Sequence, residues 1–241
     1  MLADIEAPAL ERAVDQLRDA GARALGVRTD VAVLADVEAL RDAALSEFGA
    51  VHLVCNNAGV AGGVAADARI EQWQWVLGVN LWGVVHGCTT FLPLLLEQDH
   101  GHIVNTGSLA GFRGMQSLGV YSASKCAVVG LTESLHHDLV SRSSRVGVSV
   151  LCPGFVHTGI IDSDRNMPDV VRAQLPPTGS RSMSDLPDDV GVRALDVADR
   201  VLAVCEQRFW ILPHLEQARA AVDERRAWID RENPEQPNTH T

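Results

Sequence analysis

Short apolar segments alternate with amphipathic helical ones along nearly the whole chain of 241 residues, and this rhythm is the strongest constraint on its fold. The segment ALERAVDQLRDAG sets Leu10, Val14 and Leu17 at helical spacing, with Gly21 just past the end. ALGVRTDV follows as a short apolar run that ends at Asp30. VEALRDAALSEFG is a second amphipathic helix closed by Gly49, and VHLVCNNAG is a strand running into a small-residue turn. A long helix over IEQWQWVLGVNLWGVVHGCTTFLPLLLEQ, the strand GHIVNTGS, the helix YSASKCAVVGLTESLHHDLVSR and the strand RVGVSVLCPG come next. DLPDDVGVRALDVADRVLAVCEQ reads as a helix, FWILP as a short strand and HLEQARAAVDERRAWIDRE as a charged helix, with NPEQPNTHT a disordered tail. Strands that alternate with helices build an α/β fold, a doubly wound parallel sheet covered on both faces. In such sheets ligands bind at the carboxyl ends of the strands. Those ends carry Asp4, Asp30, Asn56–Asn57, Ser108 and Cys152–Pro153–Gly154.

Composition excludes several function classes. The net charge is −11, which disfavours nucleic acid and anionic membranes as partners. Five cysteines, at 55, 88, 126, 152 and 205, form no C-x-x-C pair, so reduced thiols in a cytoplasmic setting are expected. No metal site is expected either, and His100, His102, His136 and His137 are read as solvated. The acidic start is not read as a secretory signal, and the apolar stretch WVLGVNLWGVVHGCTTFLPLLL is read as a buried helix rather than a membrane span.

YSASK places Tyr121 and Lys125 four apart, on one helix face. A phenol with a pKa of about 10 is a poor base at neutral pH, and an adjacent ammonium is expected to lower it. Tyr121 then becomes a usable proton donor and acceptor. Ser108 stands at a strand end thirteen residues earlier. Asn80 interrupts an apolar helix, where an amide is costly unless it is hydrogen-bonded.

NNAG, the Asn-bearing helix, Ser108, Y-x-x-x-K and P-G-x-V-x-T occur in this order, and over about residues 2–215 the chain resembles the short-chain dehydrogenase/reductase family. The resemblance implies a Rossmann-like domain over residues 1–215, followed by a C-terminal helix and tail over 216–241. It implies an oxidoreductase that interconverts a secondary alcohol and a ketone. Tyr121 would be the acid/base and Ser108 would hold the substrate oxygen. Lys125 would lower the Tyr121 pKa and bond the nicotinamide ribose, and Asn80 would hold a water of a proton relay. Asp30 and Val31 would lie at the adenine. Asn57, Ala58 and Gly59 would lie along the ribose and phosphate, and Pro153, Gly154, Val156 and Thr158 along the nicotinamide and diphosphate. Asp4 would accept the adenosine ribose hydroxyls and repel a 2′-phosphate, and Ile5 follows it rather than a basic residue, so NAD is expected over NADP.

The family carries a first strand, a turn of the form T-G-x-x-x-G-x-G and a first helix ahead of the position of Asp4, and the 241 residues contain no such segment. The expectation is a domain truncated at its N-terminus, with that segment encoded upstream. The alternative is a short, inactive form that acts in binding or as an oligomer partner. Without the turn, two to four charge-assisted bonds to the diphosphate are lost, about 3–6 kcal/mol. The second and fourth strands of the family order would also face each other with unpaired edges. Phe112, Met115 and Leu118, together with a mobile lid over 157–185, suggest a small hydrophobic alcohol or ketone. The small residues Ser122, Ala123, Ala127 and Gly130 suit packing across a two-fold axis, and the family resemblance implies a homodimer or homotetramer.

Overall fold

The computed structural model describes residues 1–173, 191–202 and 208–232. In chain order the elements begin β1 (Leu2–Asp4), α1 (Ala7–Asp19), β2 (Gly26–Arg28), α2 (Leu34–Phe48) and β3 (Leu53–Asn56). Then come α3 (Ile70–Leu77), a π-helical turn (Gly78–Trp82), α4 (Gly83–Glu97) and β4 (Gly101–Thr106). A 3-10 turn (Leu109–Gly111), α5 (Gly119–Ser141), β5 (Val146–Leu151) and β6 (Val156–His157) follow. A second 3-10 turn (Ser163–Asn166), α6 (Asp169–Arg172), β7 (Val192–Arg193), α7 (Ala194–Leu202), β8 (Trp210–Ile211) and α8 (Leu215–Glu232) complete it. The alternation read from periodicity is thus observed. The parts expected to be a lid over 174–185, a helix over 185–190 and 203–207, and a tail over 233–241 lie outside the described residues.

Every strand pair is parallel, as strands joined by helical crossovers must be. The ladders fall into three groups: β1–β2, then β3–β4–β5–β8, then the small pair β6–β7. The break between β1 and β3 is where unpaired strand edges were expected. Among the described residues no ladder joins β1 to β3, and Leu53 and Cys55 of β3 are exposed. The cause is local: between these two strands the described chain supplies no third strand to donate to one edge and accept from the other.

Side-chain alternation sorts the core of the larger sheet. Ile103 and Val104 are neighbours in β4, so they point to opposite faces. Ile103 packs with Val37 of α2, Phe91 and Leu95 of α4, and Val128 and Leu139 of α5. Val104 packs with Leu151, Ile211 and Val197 of α7. Both faces are therefore covered. The separate β1–β2 pair has its own small core, in which α1 lays Leu10 and Val14 against Ala24 and Leu2. The helix Ile70–Glu97 is long and apolar enough to cross a membrane, yet its Val84, Cys88, Phe91 and Leu95 fill the sheet core.

A buried polar network lies under the strand ends. Asn56 Nδ2 of β3 donates to Asn105 Oδ1 of β4 at 2.8 Å, and Asn105 Nδ2 donates to Thr132 Oγ1 of α5 at 3.1 Å. The Cys88 sulfur of α4 lies 3.6 Å from the Asn105 amide nitrogen. Gly87 makes this possible, because a Cβ there would sit on the Asn56 amide. Each polar atom pair is satisfied inside the core, so the network fixes the relative height of β3 and β4.

Leu95 is fully buried and Gly101 packs directly on its side chain. Leu95→Ala is expected to destabilise the fold by about 2–5 kcal/mol, read as a lower urea midpoint at unchanged slope.

Candidate active site at the strand ends

Three chain segments converge beyond β3, β4 and β5. Ser108 follows β4 in extended conformation and caps the 3-10 turn, its Oγ accepting from Ala110 N at 3.2 Å. Tyr121 lies in the first turn of α5, with its phenol near enough to the Ser108 side chain for that group to act on its pKa. Lys125, one turn along, is 2% exposed, and its Nζ donates to the Thr106 carbonyl at 2.8 Å. That nitrogen stands 5.6 Å from the Tyr121 ring centroid. The helical spacing of Y-x-x-x-K therefore does bring Ser108, Tyr121 and Lys125 together.

Asn80 sits in the π-helical turn and is wholly buried. Its Oδ1 accepts from Val60 N at 2.8 Å, and its Nδ2 donates to Val60 O at 3.0 Å and to Ser124 Oγ at 3.1 Å. The amide is thereby satisfied, and it pins the turn after NNAG to α5. A Cβ on Gly59 would lie 3.5 Å from Asn80 Oδ1 and 3.6 Å from Lys125 Nζ. The backbone of that turn thus reaches the lysine.

Electrostatics correct one expectation. The net shift of Tyr121 is upward: burial pushes the phenol up, against the smaller opposite effect of the Ser108 side chain. The phenol end is enclosed although the residue is partly exposed, and the lysine directs its proton at Thr106 instead. Burial also pulls Lys125 down from 10.5 to about 8. Cys152, buried beside them, is pushed up to about 12 by burial, while the nearby Ser108 backbone N–H works the other way.

The residues expected to line a dinucleotide spread along the same edge. Asp4 is exposed at the end of β1, with Oδ1 accepting from Glu6 N at 2.8 Å. Asp30 lies two residues beyond β2 and turns its Oδ1 to Ala32 N at 2.9 Å. Val31 packs on Gly83 at the start of α4, and its carbonyl meets His86 Nδ1 at 2.8 Å. Asn57 Oδ1 accepts from Thr106 Oγ1 at 3.1 Å, and Ala58 is exposed. The Pro153 carbonyl accepts from Leu109 N at 3.0 Å, tying this turn to the Ser108 loop. Val156 packs with the Val104–Leu151 core, and Thr158 is exposed. An exposed carboxylate at Asp4, an open backbone at 57–58 and the lysine behind Gly59 suit the hydroxyl-rich parts of a dinucleotide.

Other expectations change. Phe112 faces Trp210 at 5.5 Å rather than the tyrosine, and its carbonyl accepts from Arg225 of α8. Met115 is exposed, with its backbone N–H on Ser122 Oγ. The described part of the lid is anchored: Ser163 Oγ accepts from Ala61 N at 2.8 Å, and Arg165 Nε and Asn166 Nδ2 donate to Glu6 at 2.8 and 2.7 Å. His102 is not solvated but bonds Ser149 at 2.7 Å, and His136 stacks on Phe209 at 4.7 Å. Of the small-residue face, Ser122 is buried while Ala123 and Gly130 are exposed. Cys55, Cys88, Cys126 and Cys152 are unpaired among the described residues. Among the described residues no cluster of metal-ligating side chains occurs. Ser124 and Asn105 were not singled out from the sequence; a polar residue inside the apolar strand HIVNT was the available signal.

The short chain dehydrogenase family profile matches residues 1–169, and the chain belongs to that family. It is 36% identical over 165 residues to 1-deoxy-11-beta-hydroxypentalenate dehydrogenase of Streptomyces exfoliatus, covering 67% of this chain and 59% of that protein. It is 34% identical over 163 residues to cyclohexanol dehydrogenase of Acinetobacter sp. (strain SE19), covering 67% of this chain and 64% of that protein. Each match thus spans less than two thirds of the curated relative's length. Its structure is similar to that of a short chain dehydrogenase/reductase from Burkholderia phymatum in complex with NAD. The TM-score is 0.88 at 46% identity, covering 99% of this chain and 88% of that one.

In the unfolded chain Lys125 keeps its proton up to about 10.5, and in the folded chain only up to about 8. Between those values the unfolded state binds the extra proton, so stability climbs with pH across this window. Burying the charge costs roughly 3 kcal/mol below it. Urea titrations of wild type and Lys125→Met from pH 7.5 to about 10.5 should show the climb in the wild type and its loss in the variant.

Proposed function

We propose that this chain is an NAD(H)-dependent oxidoreductase that interconverts a small hydrophobic secondary alcohol and its ketone. The observation that carries the reading is the placing of Ser108 and the Tyr121 phenol together at the strand ends, with the buried Lys125 nitrogen 5.6 Å from the Tyr121 ring centroid. The substrate oxygen lies between the Ser108 hydroxyl and the Tyr121 phenol. With its pKa raised, the phenol holds its proton at neutral pH and donates it to a carbonyl oxygen as reduction proceeds. In the reverse direction the same oxygen takes the alcohol proton. Ser108, fixed by its cap on Ala110, supplies a hydrogen bond that strengthens as negative charge grows on the substrate oxygen. Lys125 supplies positive charge from a water-poor position and steadies the phenolate left behind. Asn80 holds Val60 and Ser124, and so keeps the route beside Lys125 in shape for a proton-relaying water.

Bound nicotinamide supplies the chemistry of accepting or giving the hydride. Asp4, Asn57, Ala58, Gly59, Lys125 and the segment Pro153, Gly154, Val156 and Thr158 are the residues that would hold it, with Asp30 and Val31 nearer the adenine. The Asp4 carboxylate favours NAD over NADP by accepting ribose hydroxyls and repelling a 2′-phosphate. The relatives named for cyclohexanol and for 1-deoxy-11-beta-hydroxypentalenate support an apolar alcohol as substrate. Assembly as a homodimer or homotetramer, with Ala123 and Gly130 on the contact face, belongs to the same reading.

Oxidation of cyclohexanol and other alicyclic alcohols with NAD⁺ is the test. Tyr121→Phe should lower turnover by at least about 10²-fold while NADH still binds, because only the proton carrier is removed. Equal turnover in the variant would reject the assignment of Tyr121. Binding of NADH without turnover of any alcohol would favour a binding role. Asp4→Ala should narrow the preference for NADH over NADPH in fluorescence titrations.

A further inference from the structure

The ladder between β5 and β8 ends in an unusual way. Val150 N donates to Phe209 O at 2.9 Å, and Cys152 N donates to Ile211 O at 3.0 Å. Two residues on, a continued parallel ladder would give Gly154 N to Pro213 O. Instead Gly154 N donates to the Nδ1 of His214, at 2.9 Å. The imidazole therefore takes the place of a backbone carbonyl just where β8 gives way to α8. The fit is close: a Cβ on Gly154 would lie 3.0 Å from His214 Cγ and 2.7 Å from Gln217 Oε1. A side chain at 154 would push both away.

This contact dictates a protonation state. Nδ1 accepts, so the neutral ring carries its hydrogen on Nε2. Nε2 is buried and has no partner among the described residues. Burial lowers the His214 pKa, and the positive field of Arg200 from α7 adds to this. Gln217 from α8 is neutral, and neither the Pro153–Gly154 turn nor β8 brings a titratable group. A protonated ring would set one N–H against another at Gly154.

We infer that His214 is a positioning residue whose neutral imidazole holds the Pro153–Gly154 turn and, through it, the loop that carries Ser108. The linkage is continuous, because Pro153 O accepts from Leu109 N, the residue after Ser108. His214 touches neither substrate nor cofactor in this scheme. It acts on the wall proposed above to face the nicotinamide, so its kinetic consequence rests on the proposed function. Its hold on Gly154 does not.

The test uses two variants of the whole chain. His214→Phe keeps a ring but removes the acceptor. His214→Asn places Oδ1 at the same bond distance from the backbone as Nδ1 and restores it. Amide hydrogen exchange at Gly154 reads the contact directly. Protection should fall about tenfold in His214→Phe, return in His214→Asn, and fall in the wild type as the imidazole is protonated at acid pH. His214→Asn should lack that acid step. NADH affinity and KM should follow the same pattern, with the Phe variant weakened about tenfold and the Asn variant near wild type. Unchanged Gly154 protection in the Phe variant would overturn the inference. So would lost protection with NADH affinity and KM intact. If the wild type itself takes no NADH, the dinucleotide reading of the site fails, and Gly154 exchange alone decides whether His214 holds the turn.

Discussion

The hydrogen bond from Lys125 to the Thr106 carbonyl organises this molecule. It ties the second turn of α5 to the end of β4, across a position that water barely reaches. A lone ammonium in such a place is costly, and among the described residues no carboxylate pairs with it. The surroundings offset only part of this cost: the Thr106 carbonyl accepts one hydrogen bond and the Gly59 turn closes in from the side. The same placement that burdens the fold supplies a positive charge next to a phenol. Stability and chemistry are here two readings of one buried cation, as is common where ionisable groups are held away from their ordinary pKa.

Around that bond the strand ends are kept level by groups that do no chemistry. The Asn56–Asn105–Thr132 chain couples β3, β4 and α5, so the NNAG turn and the Ser108 loop leave the sheet at matched heights. Asn80 repeats the device, holding both the backbone N–H and the backbone carbonyl of Val60. Buried amides are suited to this because each presents a donor and an acceptor in one plane, so both strand and helix partners are specified.

Much of this was legible in the chain as written. Ser108, Tyr121 and Lys125 could be brought together because helical spacing puts i and i+4 on one face and strand ends collect at one edge. The alternation of elements likewise predicted the parallel pairing. What escaped depends on depth and on distant partners. The direction of the Tyr121 shift follows from how far the phenol is enclosed, which spacing does not encode. Phe112 was expected at the site because it is close to Ser108 in sequence, yet α8 and Trp210, about a hundred residues on, draw it away. The Glu6 contact to Arg165 joins residues 159 apart, and His214 meets Gly154 only because the chain turns off its ladder two residues early.

The separation of the β1–β2 pair from the larger sheet has a consequence for how ligand and fold are coupled. That pair, with α1, has its own few buried side chains, and among the described residues it meets the rest through side-chain contacts such as Glu6 with Arg165 rather than through a backbone ladder. Units of this kind open at a lower free energy than the body they lean on. Asp4 rides on the smaller unit and Lys125 on the larger. A molecule long enough to touch both would act as a cross-brace, spending part of its affinity on suppressing local opening. Its apparent strength would then report the rigidity of the frame as much as the quality of the contacts.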